Sequence, residues 1–337
     1  MTKNKKNIIN VLVLVGITLL VLYFSLKDDF YNIINQLKSI HIGWLIVAFL
    51  IVIIYWLFRS KAINIFTRKF MPKTRYRSSL QLMIRTQFFN AVTPFATGGQ
   101  PYQIYHLVKD GVRMTTATSI IMQNFIVYQI AIVLLGAIAV LANHTFSMFA
   151  KNVLLGRLVT LGFIINTSII VVMFIVAFSE KLNRKLIRFG INILTKLHLV
   201  KNREKKLMEW DEYIVKFHKS ASMLLENKVD FLICILLNFL ALSLLYSIPL
   251  VLLYATGDYE SFNMLEAIVT SAYVMLIGSF VPIPGGSGGL EYGFIAFYSS
   301  FIGGSKLTAI MLLWRFVTYY FGMIVGAVSL NMKKVKS

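Results

Sequence analysis

Six apolar stretches, each close to the length that crosses a bilayer, constrain this chain more than anything else in it: Ile8–Leu26, Gly43–Phe58, Thr115–Leu141, Leu158–Phe178, Phe231–Tyr254 and Thr308–Leu330. The first five contain no charged residue, and the last contains only Arg315. A spanning helix needs about 20 consecutive, mostly apolar residues. In hydrocarbon a single segment can satisfy its own backbone only as a helix. The expected fold class is therefore an all-α polytopic membrane protein. Ile8–Leu26 is too long for the apolar core of a secretory signal and is followed by no small-residue cleavage site, so it is expected to be a retained helix.

The formal net charge of +20 at pH 7 could suggest a nucleic-acid partner. The basic residues, however, lie between the apolar stretches, where the positive-inside rule accounts for them, and no nucleic acid is implied. With six crossings, "TKNKKN", "RSKAINIFTRKFMPKTRYR", the hydrophilic stretch 180–228 and "KKVK" fall on one side. The other side holds Lys27, Lys38, Lys151, Arg157 and Lys306 beside Asp28, Asp29, Asp258 and Glu260. This split places both termini in the cytoplasm of a multi-pass protein of the cell membrane.

Two apolar but interrupted segments remain, 80–108 and 265–302. A single crossing by either would invert the charge pattern between them, so each is expected to enter and leave on one face. The result is two re-entrant broken-helix hairpins of opposite orientation, arranged like inverted repeats within a single transmembrane domain spanning 1–337. The first break reads "VTPFATGGQP" and the second "VPIPGGSGG". Prolines remove backbone donors there and glycines permit left-handed turns. Unpaired backbone at membrane depth must face protein or a wet cavity. Half-helices beginning near Tyr102 and Leu290 could direct their N–H groups at an anion, for which a phospholipid phosphate is a suitable guest.

Three charges lie inside these segments: Arg85, Glu291 and Arg315. Each costs about 2.5–3.5 kcal/mol at a helix centre on the insertion scale, so each should face a partner or water. Arg85 and Arg315 are expected to contact a lipid phosphate or to pair with Glu291; a static Arg315–Glu291 bridge is the structural alternative. The candidate substrate-binding set is Arg85, Asn90, Thr93, Pro94, Thr97, Gly98, Gly99, Gln100, Gln123, Asn124, Pro284, Gly285, Gly286, Gly289, Glu291 and Arg315. The amides Gln103, Asn166 and Asn238 read as contacts between helices.

Within 180–228, Leu182, Leu186, Phe189, Ile193 and Leu197 oppose Lys181, Arg184, Lys185, Arg188 and Lys196, the pattern of an interfacial helix on anionic lipid. Leu207, Trp210, Ile214, Phe217, Ala221 and Leu224 form a narrow seam that would dock on the helical core or, alternatively, on a partner helix. The single cysteine, Cys234, excludes an intrachain disulfide and a thiolate cluster. His41, His106, His144, His198 and His218 lack ligand spacing, so no metal or other cofactor is expected. "GGSGG" is not followed by Lys and Ser/Thr and is no Walker loop. Three residues separate His106 from Asp110, where common membrane acyltransferases have four.

"FFNAVTPFATGGQPYQIYHLVKDGV" and "VPIPGGSGGLEYGF" resemble the two hallmark segments of the lysylphosphatidylglycerol synthase/flippase transmembrane domain family. That family includes the membrane domain of the bacterial multiple peptide resistance factor, which is associated with moving aminoacylated phosphatidylglycerol to the outer leaflet. The resemblance assigns Thr93, Pro94, Gly98, Gly99 and Gln100 to the first hallmark, and Pro284, Gly285, Gly286, Gly289 and Glu291 to the second. It implies a translocase for phospholipid. The alternative is the membrane component of a phosphatidylglycerol lysyltransferase or lipid glycosyltransferase system that contributes to antimicrobial-peptide resistance. A third class is a membrane scaffold using the 207–224 seam. The soluble aminoacyltransferase domain is absent from these 337 residues, so the chain is not expected to be an enzyme by itself. Membrane phospholipid is the expected partner; a separate transferase chain and a homo-oligomer stay open.

Overall fold

The computed structural model describes residues 35–149, 153–196, 202–278 and 281–332. The expected helix Ile8–Leu26 and the terminal basic clusters "TKNKKN" and "KKVK" lie outside the described residues. Within them the fold is all-helical. Five helical stretches are long and apolar enough to cross a membrane: Ile42–Arg68, Met114–Phe146, Leu154–Ala177, Lys228–Ala255 and Gly304–Asn331.

In chain order, α1 (Ile42–Arg68) leads into α2 (Tyr76–Ala91), a 3-10 turn at Pro94–Ala96, and α3 (Gly99–Lys109). Next come α4 (Met114–Phe146), α5 (Val153–Phe178), α6 (Glu180–Lys196) and α7 (Arg203–Leu225). They are followed by α8 (Lys228–Tyr246), α9 (Ile248–Ala255), α10 (Met264–Gly278), a second 3-10 turn at Pro284–Gly286, and α11 (Gly289–Tyr298). The chain then forms α12 (Gly304–Arg315), a π-helical turn at Phe316–Tyr320 and α13 (Phe321–Asn331).

Several boundaries differ from expectation. α1 runs ten residues past Phe58, because a helix needs only its backbone ladder and a buried face, and Ala62, Ile63 and Phe66 supply that face. The expected span Phe231–Tyr254 is two helices meeting at Ser247, where Pro249 enters the first turn of α9, a position that tolerates a missing N–H.

Contacts between helix ends set the layout. Lys69 pairs with Asp230 at 3.2 Å, which brings the end of α1 to the start of α8. Thr116 and Ser220 lie 3.3 Å apart, placing the start of α4 beside α7. Together these form the basic end of the molecule. At the far end the His41 amide donates to the Ala255 carbonyl at 2.8 Å, joining the start of α1 to the end of α9.

The two interrupted segments fold into helical hairpins that start from opposite ends. α2 begins at the basic end, and α3 returns there: Thr67, Thr74, Ser78, His106 and Asp110 line one small cavity. α10 begins at the far end, and α11 returns to it, where the Tyr298 hydroxyl donates to the Ala267 carbonyl at 3.1 Å. The tips of the hairpins pack against each other inside the bundle. Two apolar cores flank this junction. One, between α1, α4, α5, α8, α9, α10, α11 and α12, holds Tyr298, Phe294 and Ile248; the other, toward the basic end, holds Phe66, Ile63 and Ile120.

In α7, Ile214, Phe217 and Ala221 are buried and the helix packs on α4, so this part of the seam docks on the chain's own bundle, while Trp210 stays exposed. Leu186, Phe189 and Ile193 of α6 stay exposed, as an interfacial face requires.

The far-end loop is tied down by Asp258, which accepts from Lys306 Nζ at 2.8 Å, from the Ser261 hydroxyl at 2.6 Å, and from the Glu260 and Ser261 amides. Burial pushes its pKa up, but Lys306 and the Ser261 donors outweigh that and hold the carboxyl well below the usual range. Because the folded pKa is depressed, this stabilisation is complete above the ordinary carboxylate value and is lost as pH falls through the folded one. Asp258→Asn is therefore expected to lower the melting temperature of the detergent-solubilised protein at neutral pH. Its deficit against wild type should shrink below about pH 4; an equal deficit at pH 3 and pH 7 would contradict this account.

Candidate functional site

The two tips are built from the same local plan. Each opens on an extended residue, Thr93 (φ −119°, ψ 143°) or Ile283 (φ −113°, ψ 143°), which the following proline favours. Pro94 and Pro284 then start 3-10 turns that contain two left-handed residues. These are Phe95 and Ala96 (φ 53° each) in the first tip, Gly285 (φ 66°) and Gly286 (φ 63°) in the second. A hydroxyl closes each turn onto the proline carbonyl, Thr97 at 2.9 Å and Ser287 at 3.2 Å. Gly98–Gly99 and Gly288–Gly289 then lead into α3 and α11. The matched pairs Pro94/Pro284, Gly99/Gly289 and Met114/Gly304 keep one constant offset, as a duplicated unit would. In the first tip non-glycine residues occupy the left-handed region, a conformation that costs energy and is typical of functional loops.

Within the first tip, the Thr93 hydroxyl donates to the Phe89 carbonyl at 2.7 Å and accepts from the Gly98 amide at 2.8 Å. A Cβ at Gly99 would displace the Asn90 side chain, and one at Gly98 would collide with the Phe89 backbone carbonyl. Pro94, Phe95, Ala96 and Thr97 are exposed, and Gln100 is half-buried in the first turn of α3.

Arg315 organises the second tip. Its Nε lies 2.7 Å from Glu291 Oε1, and both side chains are buried. Its Nη1 donates to the Gly285 carbonyl at 3.1 Å, and its Nη2 to the Ser287 hydroxyl at 3.1 Å. The other carboxylate oxygen of Glu291 accepts from the Gly288 amide at 2.7 Å, capping α11. One guanidinium thus joins a helix cap, a loop carbonyl and a loop hydroxyl across two elements of the hairpin and α12. The π-helical turn begins at the next residue and sets Tyr319 against Arg315, with the guanidinium carbon 4.6 Å from the ring centroid. The Tyr319 hydroxyl then donates to the Ala91 carbonyl at 3.0 Å, so α12 and the π turn link both tips.

Arg85 is placed differently from the expectation. Its Nε donates to the Ser329 carbonyl at 2.9 Å and its Nη2 to the Met332 carbonyl at 2.8 Å. Glu291 is paired with Arg315, so the expected Arg85–Glu291 pair does not form. The reason is packing: α2 lies along α13, whose terminal carbonyls carry partial negative charge and lack helical donors. Gln123 and Asn124, in α4, are buried with unpaired amide atoms, both of Gln123 and Oδ1 of Asn124. Gln129 donates to Asn166 at 3.3 Å across α4 and α5, the expected contact between helices.

Tyr319 and Ser287 belong to the site and were absent from the expected set. The only signal for Tyr319 in the sequence is its spacing of four from Arg315, which puts the two on one helical face.

Residues 7–326 match the family described as "Lysylphosphatidylglycerol synthase TM region". A UPF0104 membrane protein of Archaeoglobus fulgidus is 24% identical over 98% of this chain and 97% of its own length.

Proposed function

Because the chain belongs to the family of lysylphosphatidylglycerol synthase TM regions, we propose that it is an integral membrane translocase for phospholipid, including aminoacylated phosphatidylglycerol. In this reading Ile8–Leu26 supplies a sixth crossing, the basic end is cytoplasmic, and the hairpins are re-entrant from opposite leaflets. The observation that carries it is the meeting of two broken helices, each reaching in from its own end, at one arginine-centred junction. Paired interruptions of this kind are where transporters place their sites.

In this reading a headgroup crosses half the thickness along each hairpin, and the junction joins the halves. Phe95, Tyr292 and Phe316 are exposed apolar side chains against which acyl chains would remain in lipid. Backbone and hydroxyl groups of the tips replace the hydration that a phosphate would otherwise lose. Arg315 is the cation at the junction, and an arriving phosphate would compete with Glu291 for it.

The test is leaflet exchange of fluorescent phosphatidylglycerol and of its lysyl form by the purified protein in liposomes without nucleotide. Exchange should depend on protein and fall at least about tenfold in Glu291→Gln, in which the partner that resets Arg315 is neutral. Folded protein that exchanges neither lipid would count against the translocase and favour a membrane component of a lipid-modifying transferase.

A further inference from the structure

The extension of α1 past Phe58 carries Arg59 into the helical bundle. Of the four described arginines that are not solvent-exposed, three meet carbonyl or carboxylate oxygens: Arg85 at Ser329 and Met332, Arg184 at Asp211, and Arg315 at Glu291. Arg59 meets none. Its Nη1 donates to the Tyr55 hydroxyl at 3.3 Å, and its guanidinium carbon lies 3.7 Å from the centroid of the Tyr128 ring on α4. Its Nε is buried without an acceptor. One turn back from Tyr128, on the same face of α4, lies Asn124, whose Oδ1 is unpaired.

A guanidinium centred over an aromatic ring has its fork held in place, and that fork matches a phosphate. A buried N–H and an amide oxygen without partners mark a place where a polar guest completes the bonding. By helix rise Arg59 is about 13 Å from the basic end of α1, and about 25 Å from its far end. Across a hydrocarbon core of about 30 Å that begins at Ile42, this is about 5 Å inside the boundary nearer the basic end, a depth a long arginine side chain can span to reach a headgroup.

We propose that Arg59, positioned by Tyr55 and Tyr128, is a second phosphate-binding position, on helices other than those of the Arg315 junction, which takes a phospholipid headgroup at the basic end. The proposal rests on the translocase reading only for the leaflet from which headgroups load.

Native mass spectrometry of the delipidated full chain in neutral detergent tests it, with phosphatidylglycerol, with diacylglycerol, which has tails but no phosphate, and with inorganic phosphate as competitor. Arg59→Gln is expected to weaken phosphatidylglycerol binding about tenfold, and Arg59→Lys by less. Diacylglycerol should not distinguish the variants, and Arg315→Gln should retain the Arg59-dependent binding. Displacement by inorganic phosphate would support the site and identify its source as the free ion. Equal affinity in wild type and Arg59→Gln, or an Arg59 effect of the same size on diacylglycerol, would overturn it. Should Arg59→Gln not yield monodisperse protein, Tyr128→Leu keeps the charge and removes the ring beneath it; unchanged phosphatidylglycerol affinity in that variant would equally overturn the proposal. Loss of leaflet exchange alone, with Arg59-dependent binding intact, would count against the translocase and not against this site.

Discussion

Replacing Arg315 with alanine is expected to cost about 3–5 kcal/mol of stability, the usual loss when one member of a buried pair is removed and the other is left uncompensated. The Glu291 carboxylate would lose its ion-pair partner, and the Gly285 carbonyl and Ser287 hydroxyl would lose their donors at the same time. Thermal unfolding in detergent reads the loss. A second variant separates stability from transport. Arg315→Met combined with Glu291→Leu exchanges the pair for apolar side chains, which is often close to neutral for stability. The double variant should regain only part of the lost melting temperature, since the Gly285 carbonyl, Ser287 hydroxyl and Gly288 amide stay without their partners, and it should still exchange lipid at the protein-free rate, because no cation remains at the junction. A double variant that exchanges lipid like wild type would remove Arg315 from the mechanism; an Arg315→Ala protein as stable as wild type would remove it from the architecture too.

The second large effect is expected at Gly162 of α5. A Cβ added there would collide with the backbone carbonyl of Leu276 in α10, and a backbone atom inside a helix cannot swing aside as a side chain can. Gly162→Val must therefore push α5 away from α10, the helix that runs into the second tip. Overpacking of this kind costs about 1–3 kcal/mol or more. Gly156, on the same helix, has open space at its Cβ position, so Gly156→Ala is the control. It should be neutral or gain up to about 1 kcal/mol from helix propensity. If the two variants melt together, close approach at Gly162 is not what holds α5 to α10. If Gly162→Val lowers the melting temperature and also slows exchange more than Gly156→Ala does, the α5–α10 contact also positions the tip.

The first tip contrasts with the second. Ion-pair chemistry clamps the second through Arg315 and Glu291, whereas the first is held by the Thr93 hydroxyl and the Tyr319 bridge and keeps Pro94–Thr97 exposed. At the constant offset between the two units, Phe125 and Pro101 stand where Arg315 and Glu291 stand in the other. The turn recurs but its charge does not, and the junction is asymmetric for that reason.

Much of this was legible in the residues. Charge-free runs of spanning length demand helices, because hydrocarbon offers a backbone no other partner. Proline with paired glycines demands a break, and two such breaks between basic and neutral loops point to two hairpins. Glu291 directly after a break, and Arg315 inside the last apolar run, point to a site, since buried charge without a use is costly. These conclusions follow from local chemistry and from counting along the chain.

The tertiary structure alone decided which groups meet. Arg85 and Arg315 look alike in sequence, but one caps the carbonyls at the end of α13 and the other joins Glu291, because helix packing rather than residue type chooses the partner. Arg59 reads as the first residue of a basic loop until α1 is seen to continue beneath it, since the end of an apolar run is not the end of a helix. Tyr319 reaches Ala91 only because the π-helical turn after Arg315 resets the face of the helix. Sequence carries the periodicity and the price of burying each group; the contacts between distant segments depend on how helices cross, and only the packed bundle contains that information.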